Sequence, residues 1–203
     1  MDERQFSPAT DRNRQPILEV LQRVLPPDGM ILEIASGTGQ HSVFFAPHFP
    51  AQIWLPSDLN PRNLSSILAW QSREPADNLL PPITLNASAS TWPVETTEFQ
   101  IAAIVNINMI HISPWSVCLG LLAGANRVLP SGGVLYLYGP FKQGGQHTAL
   151  SNAAFDQSLQ LQNPTWGVRD LDEVIAVAQT KQLKLIEVAP MPANNLSVIF
   201  HKI

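Results

Sequence analysis

Ile31-Leu32-Glu33-Ile34-Ala35-Ser36-Gly37-Thr38-Gly39-Gln40 sets one acid inside an apolar run, breaks into a Gly-x-Gly turn and continues into a helix-like segment. A buried strand ending in such a turn presents bare backbone N–H groups and an open helix N-terminus, a ready site for a nucleotide-like ligand. Glu33 is the odd residue, because a carboxylate inside a buried strand is costly unless something there uses it. The third position after Gly39 is Ser42, so the pattern is G-x-G-x-x-S and lacks the last glycine of the dinucleotide fingerprint. Asp58 ends the next apolar segment 19 residues beyond Gly39, the usual place for a carboxylate that accepts ribose hydroxyls.

Outward from this turn the chain alternates strand and helix. Residues 1–12 read as an irregular polar arm, and Pro16 opens a helix with Ile17, Leu18, Leu21, Val24 and Leu25 on one side. Met30–Ala35 is the first strand and Gln40–Ala46 the helix after the turn. Ile53–Leu55, running on to Ser57-Asp58, is the second strand, and Asn63–Gln71 is helical. Ile83–Leu85 and Ile101–Ile107 are further strands, Val117–Val128 a helix stopped by Pro130, and Val134–Tyr138 a fifth strand halted by Gly139-Pro140. A polar Gly- and Gln-rich segment follows, then a helix over Leu171–Thr180. Leu183–Val188 and Leu196–His201 close the chain around Pro190–Asn195.

Continuous apolar strands separated by helices indicate a parallel sheet covered on both faces. The last two strands have no helix between them and must pair antiparallel. The expectation is one α/β domain over residues 1–203: a Rossmann-like seven-stranded sheet, mostly parallel, with an antiparallel final strand. Residues 1–15 form an N-terminal arm or lid.

Composition narrows the partners. Charged residues make up 14% of the 203, the net charge is −4 and no Lys/Arg run exists, so a nucleic-acid footprint is not expected. Cys118 stands alone, which rules out an internal disulfide and a multi-Cys metal site within one chain. His41, His48, His147 and His201 show no metal-ligand spacing. The start of the chain has no apolar signal region and no run reaches membrane-spanning length, so a soluble, cytoplasmic protein is expected. Oligomeric state is not readable.

Glu33, Gly37, Gly39 and Asp58 in this order resemble the class I S-adenosylmethionine-dependent methyltransferases, which hold their cofactor with an acid in strand one, a Gly-x-Gly turn and an acid ending strand two. The resemblance implies S-adenosyl-L-methionine as cofactor, with Glu33, Gly37 and Gly39 near its methionine and ribose and Asp58 on the ribose diol. It also places Asn86-Ala87 at the adenine edge, where many members carry Asp, and Asn106 among the cofactor contacts. A nicotinamide-dependent oxidoreductase also uses a glycine turn and an acid ending strand two; Glu33 and the missing third glycine weigh against it. A narrower resemblance rests on Arg12–Ile17, Asn106–Trp115, Tyr138–Phe141, Trp166–Leu171 and Met191–Asn195. These segments look like a small family that includes methyltransferase-like protein 26, the domain of unknown function 938. Its reaction is unassigned.

Ligands of a parallel sheet sit outside the carboxyl ends of its strands. Asn106–Trp115, Tyr138–Lys142 and Met191–Asn195 all fall at that edge. His111 is the first candidate base and Tyr138 the second; His111 is also readable as a core histidine bonding a backbone carbonyl, and Tyr138 as the end of a core strand with its hydroxyl in water. Asn13, Arg14, Trp115, Trp166, Arg169, Asn194 and Asn195 are substrate-pocket candidates. Trp115 and Trp166 read first as packing residues, Arg169 also as a surface ion-pair partner of Asp170, and Asn194-Asn195 also as a turn. No Asn/Asp-Pro-Pro-aromatic motif follows the fourth strand, and Cys118 is not in a Pro-Cys loop. The first argues against amino methylation of nucleic-acid bases and the second against cytosine C5 chemistry; with no basic patch, a small-molecule acceptor is expected. The expected activity is in-line methyl transfer, with a non-catalytic S-adenosylmethionine or S-adenosylhomocysteine binder as the alternative.

Overall fold

The computed structural model describes residues 2–96 and 99–203. In chain order the elements are α1 (Pro8–Val24), β1 (Gly29–Ile34), α2 (Gln40–Phe45), β2 (Gln52–Asp58), α3 (Pro61–Arg73), β3 (Ile83–Thr84), β4 (Ile101–Ile107), α4 (Trp115–Val128) and β5 (Val134–Gly139). A short hairpin, β6 (Lys142–Gln143) and β7 (Gln146–His147), leads to α5 (Leu150–Gln162), α6 (Leu171–Thr180), β8 (Leu183–Met191) and β9 (Asn195–Lys202). Seven strands form one sheet in the order β3-β2-β1-β4-β5-β9-β8. β9 runs antiparallel to both its neighbours and every other pairing is parallel. The expected sheet is therefore present, including the antiparallel final strand.

Apolar residues cover both faces, which is why the central strands lack polar alternation. Leu32, Ile34, Leu55, Ile104, Leu135 and Phe200 pack with α4 and α6 on one side. Ile31, Phe45, Trp54, Val105, Tyr136 and Ile199 pack with α1 and α2 on the other. Glu33 falls two residues after Ile31 and so faces the Trp54 side. From β1 the chain winds outward through β2 and β3, while β4 and β5 lie on the other side of β1. Where the winding reverses, the carboxyl ends of β1 and β4 diverge and open a crevice.

Three local expectations change. The helix expected from Pro16 begins at Pro8, and Pro16 lies inside it. One missing N–H is tolerated because Ile17, Leu18, Val20 and Leu21 are all buried against the sheet. Much of the expected irregular arm is thus helical. The polar segment after β5 contains α5, whose inward residues are Asn152, Asp156 and Leu159, so there is no apolar period to read. Its anchor is Asp156, which pairs with Lys142 at 2.8 Å and His147 at 3.1 Å and accepts from the Val168 N–H at 2.8 Å. β8 extends through Pro190 to Met191, which an edge strand permits. The final turn shrinks to Pro192–Asn194, with Ala193 and Asn194 left-handed. No helix among the described residues is long and apolar enough to cross a membrane.

Candidate functional site

The crevice is a pocket of about 350 Å³. Its floor is Glu33, Ala35 to Thr38 and His41. Asp58 and Asn63 form one side, Ile107 to Met109 and Ile112 the other, and Ser7, which precedes α1, lies over it with Ala9, Thr10 and Asn13 of α1.

Glu33 is 2% exposed, and its Oε2 accepts from the Ser42 hydroxyl and the Trp54 indole N–H, both at 2.7 Å. Burial pushes its carboxyl up to about 7; these donors act against that rise, and the nearby Asp58 charge adds to it. Ser42, which stands in place of the third fingerprint glycine, therefore serves to hold the buried acid. Asp58 accepts the Gly37 N–H through Oδ2 at 2.9 Å and the Asn60 N–H through Oδ1 at 2.8 Å. Each oxygen keeps a lone pair for a ligand hydroxyl.

The two glycines do different work. Gly37 has φ 58° and lines the pocket. Gly39 has φ 88° and does not; a Cβ there would come within 2.8 Å of the Ile67 Cα, so this glycine lets α3 approach the turn. Ala35 (φ 57°) and Asn108 (φ 64°) also line the pocket in the left-handed region, a local strain that the flanking strands must hold.

Sequence reasoning missed His41 as a pocket residue. Its ring stacks on Phe45 at 5.4 Å, and its Nε2 lies 2.8 Å from the Asn13 Oδ1. Burial, with the positive charge of Arg14, drives its pKa down to about 3. The available signal was position: His41 is two residues past Gly39, at the start of the helix that frames the site.

Several expected site residues stand elsewhere. His111 is completely buried, packs edge-on against Phe141, and takes the Arg169 N–H at Nδ1; it does not line the pocket. Burial beside Arg169 lowers its pKa to about 3. Tyr138 is 3% exposed within the α1 side of the core, and burial raises its pKa while Asn13 opposes the rise. Asn106 is 1% exposed and donates to the Ile34 carbonyl at 2.9 Å, so it ties β4 to β1 behind the floor. The Asn86 Oδ1 accepts from both N–H and hydroxyl of Ser88, and neither Asn86 nor the buried Ala87 lines the pocket.

The substrate candidates divide in the same way. Asn13 lines the pocket, while Arg14 lies over the Phe44 ring at 4.8 Å and pairs with Asp11 at 3.7 Å. Arg169 clamps the β4–α4 loop: its guanidinium donates to the carbonyls of Ile110, Ser113 and Thr165 and lies over Trp115. Trp166 closes a turn onto the Asn163 carbonyl. Asn194 donates to Ser151 and receives Asn152, and Asn195 caps its own turn. These residues brace the rim outside the pocket.

The titratable groups on the lining are therefore Glu33, Asp58 and His41, and no Lys or Arg joins them among the described residues. Such a cavity suits a ligand with positive charge and hydroxyl groups to donate. It offers a pyrophosphate no cationic side chain.

Residues 4–202 match the profile of a family described as "Protein of unknown function (DUF938)". Among solved structures, an O-methyltransferase family 2 protein from Planctomyces limnophilus in complex with apigenin is 19% identical with a TM-score of 0.75. The match covers 95% of this chain and 61% of that one. Human N-acetylserotonin methyltransferase in complex with S-adenosylmethionine is 11% identical, with a TM-score of 0.78 over 96% and 52%. An O-methyltransferase family protein from Burkholderia thailandensis is 13% identical, with a TM-score of 0.79 over 96% and 57%. At these identities the likeness is one of fold, and the chain spans 52–61% of the length of these three proteins.

Proposed function

This chain belongs to the DUF938 family, and we propose that it is an S-adenosylmethionine-dependent methyltransferase acting on a small-molecule acceptor. The observation that carries the reading is the pocket itself: two carboxylates, Glu33 and Asp58, on either side of a glycine turn, with no cationic side chain on the described lining. When bound, the cofactor supplies a methyl group already activated on a sulfonium, so alignment and desolvation carry most of the catalysis. Asp58 accepts the ribose hydroxyls while its other lone pairs hold the Gly37 and Asn60 amides. Glu33 offers negative charge to the cationic portion. Ile107, Met109 and Ile112 give the acceptor an apolar approach and keep water from the transfer path. The N-terminal half of α1, continuous with the arm before it, covers the site. His111 and Tyr138 act through packing rather than as bases, so the acceptor arrives as its own nucleophile. Within the superfamily, the motifs support a kinship with the methyltransferase-like protein 26 type.

The test is transfer of a labelled methyl group. The protein is incubated with methyl-labelled S-adenosylmethionine and a fractionated metabolite extract. Label moving into a low-molecular-weight product is the expected result. If the cofactor binds but the label stays on it in every fraction, the protein is a binder and not an enzyme. Transfer into nucleic acid or protein would overturn the acceptor class.

A further inference from the structure

His41 has one ring nitrogen engaged and one free. Its Nε2–H donates to the Asn13 Oδ1 at 2.8 Å, which leaves Nδ1 as the lone-pair acceptor. Among the described residues Nδ1 has no protein partner, and it is not one of the sealed, unpartnered atoms of the interior. The ring lines the pocket, held by its stack on Phe45. Burial and the Arg14 charge keep the ring uncharged at neutral pH, so Nδ1 carries no proton and can only accept.

The pocket has three chemically distinct walls. Asp58 and Asn63 are the hydroxyl-accepting side. Ile107, Met109 and Ile112 are the apolar side. Between α1 and α2 lies a neutral polar corner of Ser7, Thr10, Asn13 and His41. A ligand made of a ribonucleoside, an alkyl sulfonium and an amino-acid end has one part for each wall, and the amino-acid end, which carries both an ammonium and a carboxylate, suits the neutral polar one.

We infer that His41 Nδ1 accepts a hydrogen bond from the α-ammonium of the cofactor's amino-acid end, with Asn13 as the positioning residue that fixes the required tautomer. This rests on the cofactor reading above. It makes α1 part of the binding site, since without Asn13 the imidazole is free to place its proton on the wrong nitrogen.

The experiment is calorimetric titration of S-adenosylhomocysteine and of 5′-methylthioadenosine, which lacks the amino-acid end, into the wild type, His41→Asn and His41→Gln. An asparagine amide overlays the Nδ1 side of the ring and a glutamine amide reaches the Nε2 position, so the two variants keep opposite halves. The assignment predicts that His41→Gln weakens S-adenosylhomocysteine about tenfold and leaves methylthioadenosine unchanged, with His41→Asn losing less. A purely structural link to Asn13 predicts the reverse order, and the same loss for both ligands; either result overturns the assignment. Asn13→Ala supplies the check if a His41 variant does not fold: it should weaken S-adenosylhomocysteine alone, and an equal loss for both ligands refutes the role. A wild type that binds neither compound overturns the cofactor reading and this contact together. Binding of both by the wild type with unchanged affinities in all variants overturns the contact only.

Discussion

Replacing Glu33 with Gln separates what the buried acid costs the fold from what it gives the pocket. Burial raises this carboxyl from 4.5 to about 7 even with Ser42 and Trp54 donating to it. The folded state therefore holds the proton more tightly than the unfolded chain. The stabilisation is complete below the unfolded value and is lost as the pH climbs through the folded one. At ~1.4 kcal/mol per pH unit, the full loss is about 3 kcal/mol once the pH is well above 7. A glutamine cannot ionise, and its amide oxygen can take both donors that Oε2 now takes. Glu33→Gln should melt with the wild type near about pH 4 and above it by about 6–12 °C near about pH 8.5, at ~2–4 °C per kcal/mol for a chain of this size. Differential scanning calorimetry of both proteins across that range measures it, the difference between them cancelling every other titrating group. The same variant should bind S-adenosylmethionine more weakly at the alkaline end, where the wild type carries the charge. Melting curves that stay parallel from acid to alkali would refute the reasoning, because the acid would then titrate alike in both states.

Other substitutions probe separate parts of the account. Asp58→Ala removes two charge-assisted acceptors worth about 1.5–3 kcal/mol each, so S-adenosylhomocysteine affinity by calorimetry should fall at least about a hundredfold; unchanged affinity would mean that the pocket is misplaced. Gly39→Ala meets both a left-handed backbone and the Ile67 Cα at 2.8 Å, and urea unfolding should show a loss of about 1–3 kcal/mol. A wild-type midpoint there would contradict the close approach of α3. His111→Ala should lower the melting temperature by opening a buried cavity while the pH profile of methyl transfer keeps its wild-type shape. A missing limb in that profile would restore His111 as the base.

The sheet was legible because β1, β4 and β5 are buried on both faces and read as unbroken apolar runs bounded by Gly and Pro. The antiparallel ending followed from the lack of room for a crossover between Leu183–Val188 and Leu196–His201. What escaped reading were helices whose stability comes from elsewhere than an apolar stripe. α5 buries Asn152 and Asp156 and is held by Lys142, His147 and Val168, partners that lie outside its own sequence. α1 carries an internal proline that reads locally as a start.

The pocket shows the same division. Glu33, Gly37 and Asp58 were legible from spacing because a strand–turn–helix–strand unit fixes them within one stretch of chain, whereas Asn13 was named separately, as part of an arm that could fold over the site. The rim residues His111, Trp115, Arg169, Asn194 and Asn195 were placed at the correct edge of the sheet. Position along a strand does not say whether a side chain turns toward the cavity or braces the loop behind it. His41 escaped because its role depends on α1 folding back over α2, a tertiary contact with no periodic signature.

The most direct test is titration of S-adenosylhomocysteine into the wild-type protein beside NADH and NADPH. The account predicts one saturable site for S-adenosylhomocysteine, filled well below ~1 mM, and no saturable heat from either dinucleotide. No saturation with S-adenosylhomocysteine at ~1 mM, or tighter binding of a nicotinamide dinucleotide, would contradict it.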